Sequence, residues 1–298
     1  MINVQNLTKR YGAHLAVDDV SFRCEPGTVT GFLGPNGAGK STTMRMLTGL
    51  TPPTAGTATI DGRPFDDLPN PGRLVGVMLD ASAQHPGRSG LETLRLSSQL
   101  LGLHRSAADD MLERVGLSHA AKRKVASYSL GMRQRLALAG ALLGDPRVLI
   151  LDEPSNGLDP DGIRWLRNHL IDFARGGGSV FVSSHLIGEL ALFADDLVVV
   201  GGGKLLAADT VDGIAARQTA TVVAETPDPA ALASALDRPG TSVQADGDRL
   251  VIRGASKADV SRLAFELGIQ LIELTETIPS LEDTLLDLTG ASAEFASA

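Results

Sequence analysis

The sequence predicts an α/β fold built on a parallel sheet, and two observations carry that prediction. The first is the run Val148-Leu149-Ile150-Leu151, which is apolar throughout. Strands that are buried on both faces of a parallel sheet have this continuous apolar character. The second is that strand-like and helical stretches alternate along the chain, above all over residues 145–212. Such alternation is typical of strand–helix–strand units, whose strands lie side by side in parallel.

A glycine-rich loop separates the first such strand from its helix. The apolar stretch Thr28–Leu33 predicts the strand, and Ser41–Leu47 predicts the helix. Strand, loop and helix in this order are the context that a phosphate-binding loop requires. The loop has two glycines separated by four residues, then lysine and serine: Gly34, Pro35, Asn36, Gly37, Ala38, Gly39, Lys40 and Ser41.

Each residue type in this loop has a chemical reason. The glycines let backbone N–H groups turn toward phosphates, and the start of the helix adds the positive end of its dipole. Lys40 can reach the β and γ phosphates, and the Ser41 hydroxyl can ligate Mg²⁺. A glycine-rich turn that binds nothing is the alternative. Since every required position is filled, we predict that this loop, with Thr42 beside it, binds a nucleoside triphosphate.

Two acids follow the apolar run at 148–151. Asp152 and Glu153 would lie at the carboxyl end of a parallel strand, where ligands bind in such sheets. Asp152 is then placed to hold Mg²⁺ or its waters, and Glu153 to polarise a water toward the γ-phosphate. Adjacent acids after a strand can also cap a helix. Pro154 follows at once and the phosphate loop is already present, which favours the metal and base roles.

Four further stretches complete a known pattern, in order and in spacing. They are Tyr11, the run Ser129-Leu130-Gly131-Met132-Arg133-Gln134, the run Ser155-Asn156-Gly157-Leu158-Asp159, and His185. Over roughly residues 1–212 the chain resembles the ATP-binding subunit of ATP-binding-cassette (ABC) transporters. The resemblance implies that Tyr11 stacks on adenine, that Ser129–Met132 form the signature loop, that Asp159 belongs to the loop after the catalytic glutamate, and that His185 is the switch histidine.

The resemblance also implies the architecture. It is that of a P-loop NTPase cassette, with a parallel-sheet core, an N-terminal antiparallel β part and an inserted helical subdomain at about 84–144. We expect this ATP-binding domain to span 1–215. A small accessory α/β domain would follow at 216–298, with strands at 219–225, 242–245, 249–253 and 269–274. Ser280 to Asp283 resembles a capping box that opens a last helix through Leu288.

The signature loop predicts a second anion site. Ser129 occupies an N-cap position before the helical run Leu130–Leu143, and a serine hydroxyl with a glycine N–H at a helix start can bind an anion. The alternative is a capped helix whose arginines are solvated. The chain already has one phosphate site at Lys40, so a second anion site requires a second bound phosphate group. The resemblance supplies it: two cassettes face head to tail, as a homodimer or a heterodimer.

Two positions depart from the family pattern. Leu130 stands where a second glycine is usual, although Gly131 remains for close approach. Asp80 stands where a glutamine is usual; a carboxylate can bind Mg²⁺ or water but donates no hydrogen bond. Gln84, four residues later, is the alternative if the loop is displaced. An acidic residue in this coupling loop resembles the cassettes of antibiotic and lantibiotic exporters.

Composition restricts the partners. The formal net charge of −8 argues against a nucleic-acid surface, and the single cysteine excludes an internal disulfide. The first residues lack a signal-peptide core, and no apolar run approaches the ~20 residues of a membrane helix. We therefore expect a cytoplasmic protein, peripheral on the inner face of the membrane, with a separate integral membrane permease. The accessory domain has no cysteine or histidine, so we expect docking or dimerisation from it rather than metal binding.

The predicted function is ATP hydrolysis, with Mg²⁺, that powers export of a small molecule, antibiotic or lipid. The alternative is a cassette ATPase that is not coupled to transport and acts in regulation, on nucleic acid or on ribosomes. Such proteins usually carry two cassettes, zinc sites or long coiled coils. This chain has one phosphate loop, one cysteine and no sustained heptad run, which favours transport.

Overall fold

The structure is a computed structural model that describes residues 1–216 and 220–277. The chain forms two compact units that divide between Val211 and Asp212. The predicted domain boundary at 216 lies at the end of helix Val211–Ala215, whereas the units divide within that helix's first turn. The predicted helix that opens at Ser280 lies outside the described residues.

The elements are numbered in chain order. The first unit contains β1 (Ile2–Tyr11), β2 (His14–Cys24), β3 (Val29–Leu33), α1 (Lys40–Leu47), β4 (Ala55–Ile60), β5 (Val75–Met78), α2 (Gly90–Leu100), α3 (Ser106–Arg114), α4 (Leu130–Leu142), β6 (Val148–Leu151), α5 (Pro160–Arg175), β7 (Ser179–Ser184), α6 (Ile187–Ala191), β8 (Asp196–Gly201) and β9 (Lys204–Thr210). Then follow α7 (Val211–Ala215), β10 (Thr221–Glu225), α8 (Pro229–Ala235), β11 (Ser242–Asp246), β12 (Arg249–Arg253), α9 (Lys257–Glu266) and β13 (Glu273–Thr277).

A six-stranded sheet forms the centre of the first unit, in the order β5-β6-β7-β3-β8-β9. All neighbouring strands are parallel except β8 and β9, which are antiparallel. Every residue of β3, β6 and β7 is buried, and this burial on both faces explains why β6 is apolar throughout. The predicted α/β class is confirmed. The carboxyl ends of β3, β6 and β7 meet at one edge of the sheet, and this edge carries the site.

A three-stranded antiparallel sheet, in the order β2-β1-β4, packs on this core. Three rings join the two sheets: Phe22 on β2, Phe32 on β3 and Phe181 on β7, with centroids 5.0 to 5.7 Å apart. Aromatic pairs at this spacing contribute about 0.5–1.5 kcal/mol beyond their burial. Cys24 ends β2 inside the same core, and burial raises the pKa of its thiol to about 12.

Helices α2, α3 and α4 lie between β5 and β6 in the chain. Ser89 and Glu92 form a reciprocal capping box at the start of α2, and Ser129 caps α4 through the Met132 N–H. Leu136, Ala139 and Leu143, which the sequence predicts to share one face, are all buried. Packing of this face fixes the first turn of α4 and hence the loop that precedes it.

The second unit is an antiparallel sheet in the order β11-β12-β10-β13 with α8 and α9. Its core is small, and six of its buried residues are Val222, Ala224, Leu232, Leu250, Ile252 and Val260. The predicted bounds of the last strand, 269–274, are wrong, because β13 spans Glu273–Thr277. The Ile269 N–H instead bonds the Ala264 carbonyl at the end of α9, and Ile269 and Leu271 cover the core from that turn.

Candidate active site

A cavity of about 340 Å³ opens at the carboxyl ends of β3 and β6. Its lining consists of Tyr11, His14, Ala16, Pro35, Asn36, Gly37, Gly39, Lys40, Ser41, Thr42, Asp152 and Glu153. The structure thus brings together residues that the sequence separates by more than a hundred positions. Two predicted loop residues do not line the cavity. Ala38 is buried in the core, and Gly34 takes part through its carbonyl.

The loop is shaped by backbone that only glycine adopts easily. Gly39, directly before α1, has φ of +96°, and a Cβ there would stand 2.5 Å from the Ala16 carbonyl oxygen. Lys40 folds back across this loop. Its ammonium donates to the Gly34 carbonyl at 2.6 Å and to the Pro35 carbonyl at 3.3 Å. With 6% of the residue exposed, Lys40 presents its charge to the cavity rather than to bulk water.

Ser41 and Asp152 form the part of the cavity wall that fits Mg²⁺. The Ser41 hydroxyl donates to Asp152 Oδ2 at 2.6 Å, so two hard oxygen donors stand side by side. Within the described residues, no group of three or more His, Cys, Asp or Glu side chains is arranged to hold a metal. Mg²⁺ commonly uses one or two protein carboxylates and takes its other ligands from phosphates and water, so the fit rests on the donor pair Ser41 and Asp152.

Glu153 is held in an unusual conformation. Its φ is +48°, a left-handed value that costs a residue with a side chain on the order of 1–3 kcal/mol. Three contacts fix it there. Its N–H donates to Ser183 Oγ at 2.9 Å, His185 Nδ1 lies 2.8 Å from Oε2, and Lys40 Nζ lies 3.7 Å from Oε1. The predicted His185 therefore contacts the predicted Glu153 directly.

Sequence reasoning missed Ser183, which connects the two acids. Its hydroxyl donates to Asp152 Oδ1 at 2.5 Å and accepts from the Glu153 N–H. A signal was present: Ser183 lies two residues before His185, near the carboxyl end of β7, and β7 neighbours β6 in the sheet. His14 and Ala16, which line the cavity from β2, were also missed. Their signal is the hairpin, in which His14 pairs directly with Tyr11.

The predicted signature residues line a different cavity, of about 350 Å³. Its lining consists of Gly116, Leu117, His119, Ser129, Leu130, Gly131, Met132, Arg135, Gly157, Leu158 and Asp159. The two cavities share no lining residue, so one chain does not bring Ser129 to its own phosphate loop. Asp159 borders this second cavity and caps α5, since its Oδ1 accepts from the Gly162 N–H at 2.8 Å.

Leu130, where the family pattern has glycine, is accommodated by another glycine. A Cβ on Gly157 would stand 2.1 Å from Leu130 Cδ2, so the leucine lies over a backbone that has no side chain. Gln134 strengthens the same contact, because its amide donates to the Asn156 carbonyl at 2.8 Å. The signature loop and the loop Ser155–Asp159 are therefore packed together, with Gly131 at the cavity wall.

Asp80 does not line the phosphate cavity. It is exposed after β5 and accepts from the N–H and the hydroxyl of Ser82, at 2.7 and 2.6 Å. These hydrogen bonds lower the pKa of the Asp80 carboxyl. Gln84, the alternative, reaches α4: with its amide oriented to satisfy both polar atoms, it donates to the Ala81 carbonyl at 3.0 Å and accepts from the Ala137 N–H at 3.1 Å.

The fold and this cavity define an α/β nucleotide-binding cassette. The family model described as "ABC transporter" matches residues 17–156, and a "Domain of unknown function (DUF8746)" matches 220–282. Among solved structures, "Structure of ATP binding subunit of ABC transporter" is 28% identical with a TM-score of 0.67, covering 73% of this chain and 92% of that one. The "Dimeric Structure of MJ0796, a Bacterial ABC Transporter Cassette" is 25% identical with a TM-score of 0.64, covering 71% and 99%.

Relatives extend over nearly the whole chain. The "Uncharacterized ABC transporter ATP-binding protein YhcH" of Bacillus subtilis is 35% identical, covering 99% of this chain and 97% of the relative. The "Bacitracin transport ATP-binding protein BcrA" of Bacillus licheniformis is 35% identical, covering 97% of both. The "Lantibiotic transport ATP-binding protein SrtF" of Streptococcus pyogenes is 37% identical, covering 72% and 92%.

The chain belongs to the family of ABC transporter ATP-binding proteins. The predicted resemblance to the antibiotic-exporter branch is confirmed by the bacitracin and lantibiotic relatives. No helix in residues 1–216 or 220–277 is both long enough and apolar enough to cross a membrane.

Proposed function

We propose that this chain hydrolyses ATP and thereby powers export of an antibiotic, or of another small molecule or lipid, through a separate membrane subunit. Relatives that match along nearly the full length are named for bacitracin transport, which supports the exporter assignment. The chain would act on the inner face of the membrane, docked to its permease. The unit from Asp212 onward would serve docking or dimerisation.

The placement of Glu153 carries the catalytic part of this proposal. Its carboxylate faces the phosphate cavity, with one oxygen near Lys40 and the other against His185. A carboxylate in this position can accept a hydrogen bond from a water and direct that water at the terminal phosphate. His185 fixes the carboxylate, and Ser183 fixes the backbone beneath it. The strained φ of Glu153 is thus maintained where the reaction needs a base.

The phosphates would be bound by the residues of the glycine-rich loop and the first turn of α1. Lys40 supplies positive charge, and the N–H groups at the start of α1 point along the dipole toward the same space. Ser41 and Asp152 would hold Mg²⁺, which neutralises charge on the β and γ phosphates when it is bound. Tyr11 would stack on the base from the mouth of the cavity.

The second cavity supports a head-to-tail dimer. Ser129 and Gly131 stand at the start of α4, where hydroxyl and N–H groups suit an anion, yet no lining residue is shared with the phosphate loop. A solved cassette with 25% identity is dimeric. In a dimer each signature loop would close over the nucleotide bound by the other chain.

Glu153→Gln tests the proposal. The substitution keeps the size of the side chain and removes the carboxylate, so we expect hydrolysis to fall by about 10²–10⁴-fold while ATP still binds. Unhydrolysed ATP should then hold two chains together, because ATP binds the closed pair more tightly than the separate chains. Size-exclusion chromatography with light scattering in Mg-ATP should show a dimer that is absent in Mg-ADP.

Glu113→Gln, an exposed residue on α3, is the matched control and should leave turnover unchanged. Near-normal hydrolysis by Glu153→Gln would remove the catalytic assignment. For the exporter assignment, cells that express the chain with its membrane subunit should gain resistance to a peptide antibiotic, and the Glu153→Gln variant should abolish that gain.

A further inference from the structure

A lysine contacts the aromatic ring of Tyr11, which lines the phosphate cavity. Lys9 and Tyr11 are two residues apart on β1 and therefore project from the same face of the strand. The Lys9 ammonium lies 5.0 Å from the centroid of the Tyr11 ring. It also donates to the Pro52 carbonyl at 2.6 Å, which fixes the ammonium against the segment before β4.

Lys9 contacts the ring without lining the cavity. Tyr11 lines the cavity together with His14, whereas neither Lys9 nor Pro52 does. The contact between Lys9 and the ring therefore lies outside the cavity lining. Tyr11 as a whole residue is 49% exposed, and within 1–216 and 220–277 its hydroxyl has no hydrogen-bond partner. An aromatic side chain at a hairpin end, without such a partner, is held in place by what contacts its face.

We propose that Lys9 is a positioning residue for the nucleotide base. It closes one face of Tyr11 and holds the ring so that the opposite face is presented to the base of the triphosphate. A cation over one face of an aromatic ring is attracted by the ring quadrupole, and its tether to Pro52 limits the motion of the pair. The inference rests on the proposed function, since it requires that Tyr11 stacks on the base.

The chemistry of this platform sets what Lys9 can affect. Stacking on a ring face tolerates different bases, because every base has a π face. Lys9 should therefore influence affinity for the base part of any nucleoside triphosphate and leave the phosphate part unaffected. Inorganic tripolyphosphate, which has the phosphates and no base, is the ligand that separates the two parts.

The test compares Lys9→Met, Lys9→Arg and the exposed-surface control Lys122→Met in the full chain. ATP and inorganic tripolyphosphate are each titrated by calorimetry. We expect Lys9→Met to weaken ATP binding by about two- to five-fold, the range for an exposed cation–π contact, with no change for tripolyphosphate. Lys9→Arg keeps a cation over the ring and should bind ATP like the parent chain, as should Lys122→Met.

A merely structural Lys9 gives a different pattern. If it only tied β1 to Pro52, Lys9→Met would lower the thermal midpoint and change both ligands alike, or neither, and this result would overturn the inference. Tyr11→Leu separates this failure from failure of the proposed function. Unchanged ATP affinity in Tyr11→Leu removes the stacking role itself. Weaker ATP binding in Tyr11→Leu with normal binding in Lys9→Met removes the role of Lys9 alone.

Discussion

The two cavities of the first unit have nearly equal volumes, about 340 and 350 Å³, and different linings. The phosphate cavity is lined by the buried cation of Lys40, by the hydroxyl-bearing residues Tyr11, Ser41 and Thr42, and by the carboxylates of Asp152 and Glu153. The signature cavity offers a hydroxyl and the start of a helix, and its one carboxylate, Asp159, is occupied in capping α5. Arg135 and His119 also line the signature cavity, but the proposed catalytic carboxylate, Glu153, lines the phosphate cavity alone.

The separation of the two cavities bears on how ATP hydrolysis would be controlled. If binding and chemistry shared one pocket, a single chain would be competent whenever ATP arrived. Here the donors at Ser129 and Gly131 are carried on α4, away from Lys40 and Glu153 of the same chain. In the proposed head-to-tail dimer, hydrolysis would depend on how two chains contact each other, and a membrane subunit that alters this contact could regulate hydrolysis without touching the phosphate cavity.

We expect the strongest loss of hydrolysis at the phosphate cavity, and we compare one residue from each cavity to test this. Lys40→Ala removes the cation of the phosphate cavity, so hydrolysis should fall by about 10²–10³-fold and ATP binding should weaken. Ser129→Ala should also lower hydrolysis, by about tenfold, but leave ATP binding to the single chain unchanged, because the cavities share no residue. Equilibrium titration and steady-state turnover measure the two quantities.

Ser127→Ala is the control for the signature substitution, since Ser127 precedes the loop and its hydroxyl donates to the Lys124 carbonyl. Turnover in that variant should match the parent chain. Weakened ATP binding by monomeric Ser129→Ala would contradict the separation of the two cavities.

An intermediate effect should appear at the contact between Leu130 and Gly157. Gly157 has φ of +75° and lies beneath the Leu130 side chain, so Gly157→Ala should destabilise the unit by backbone strain and by contact with Leu130. In a Leu130→Gly background only the strain remains. A double-mutant cycle should therefore show a coupling of about 0.5–3 kcal/mol in the free energy of unfolding.

Trp165, the single tryptophan of the chain, lies on α5 directly after this loop and gives the fluorescence signal for these measurements. Additive effects of the two substitutions would show that the signature loop and the loop Ser155–Asp159 are independent.

The smallest effect is expected at Asp80. Its carboxylate is turned toward Ser82 and does not line the cavity, so Asp80→Ala should change the Kd for ATP by less than about twofold. Turnover by the assembled transporter should decline more than ATP affinity does. Gln84→Ala is the comparison, and a silent Asp80→Ala beside an impaired Gln84→Ala would assign the coupling role to the glutamine.

Local motifs and tertiary contacts were not equally predictable. The phosphate loop and the Asp152–Glu153 pair were found because each follows an apolar strand directly, and parallel strands bring their ends together by topology alone. Ser183 needed knowledge that β7 lies beside β6. The contact between Leu130 and Gly157 could not be predicted without knowing how the two loops pack together. The role of Lys9 could not be predicted without knowing that its ammonium lies over the Tyr11 ring. The bounds of β13 were missed because Ile269 and Leu271, which precede it, pack on the core of the second unit instead of forming the strand.

Cys24 gives the chain an unusual experimental property. It is the one thiol in the sequence, it lies in the core between the two sheets of the first unit, and its raised pKa keeps it protonated at neutral pH. The native surface therefore offers no competing site to a thiol-directed dye. A cysteine introduced at any exposed position can be labelled selectively with the native residue left in place. The slow rate at which a thiol reagent modifies Cys24 would report how often the core around this residue opens to solvent.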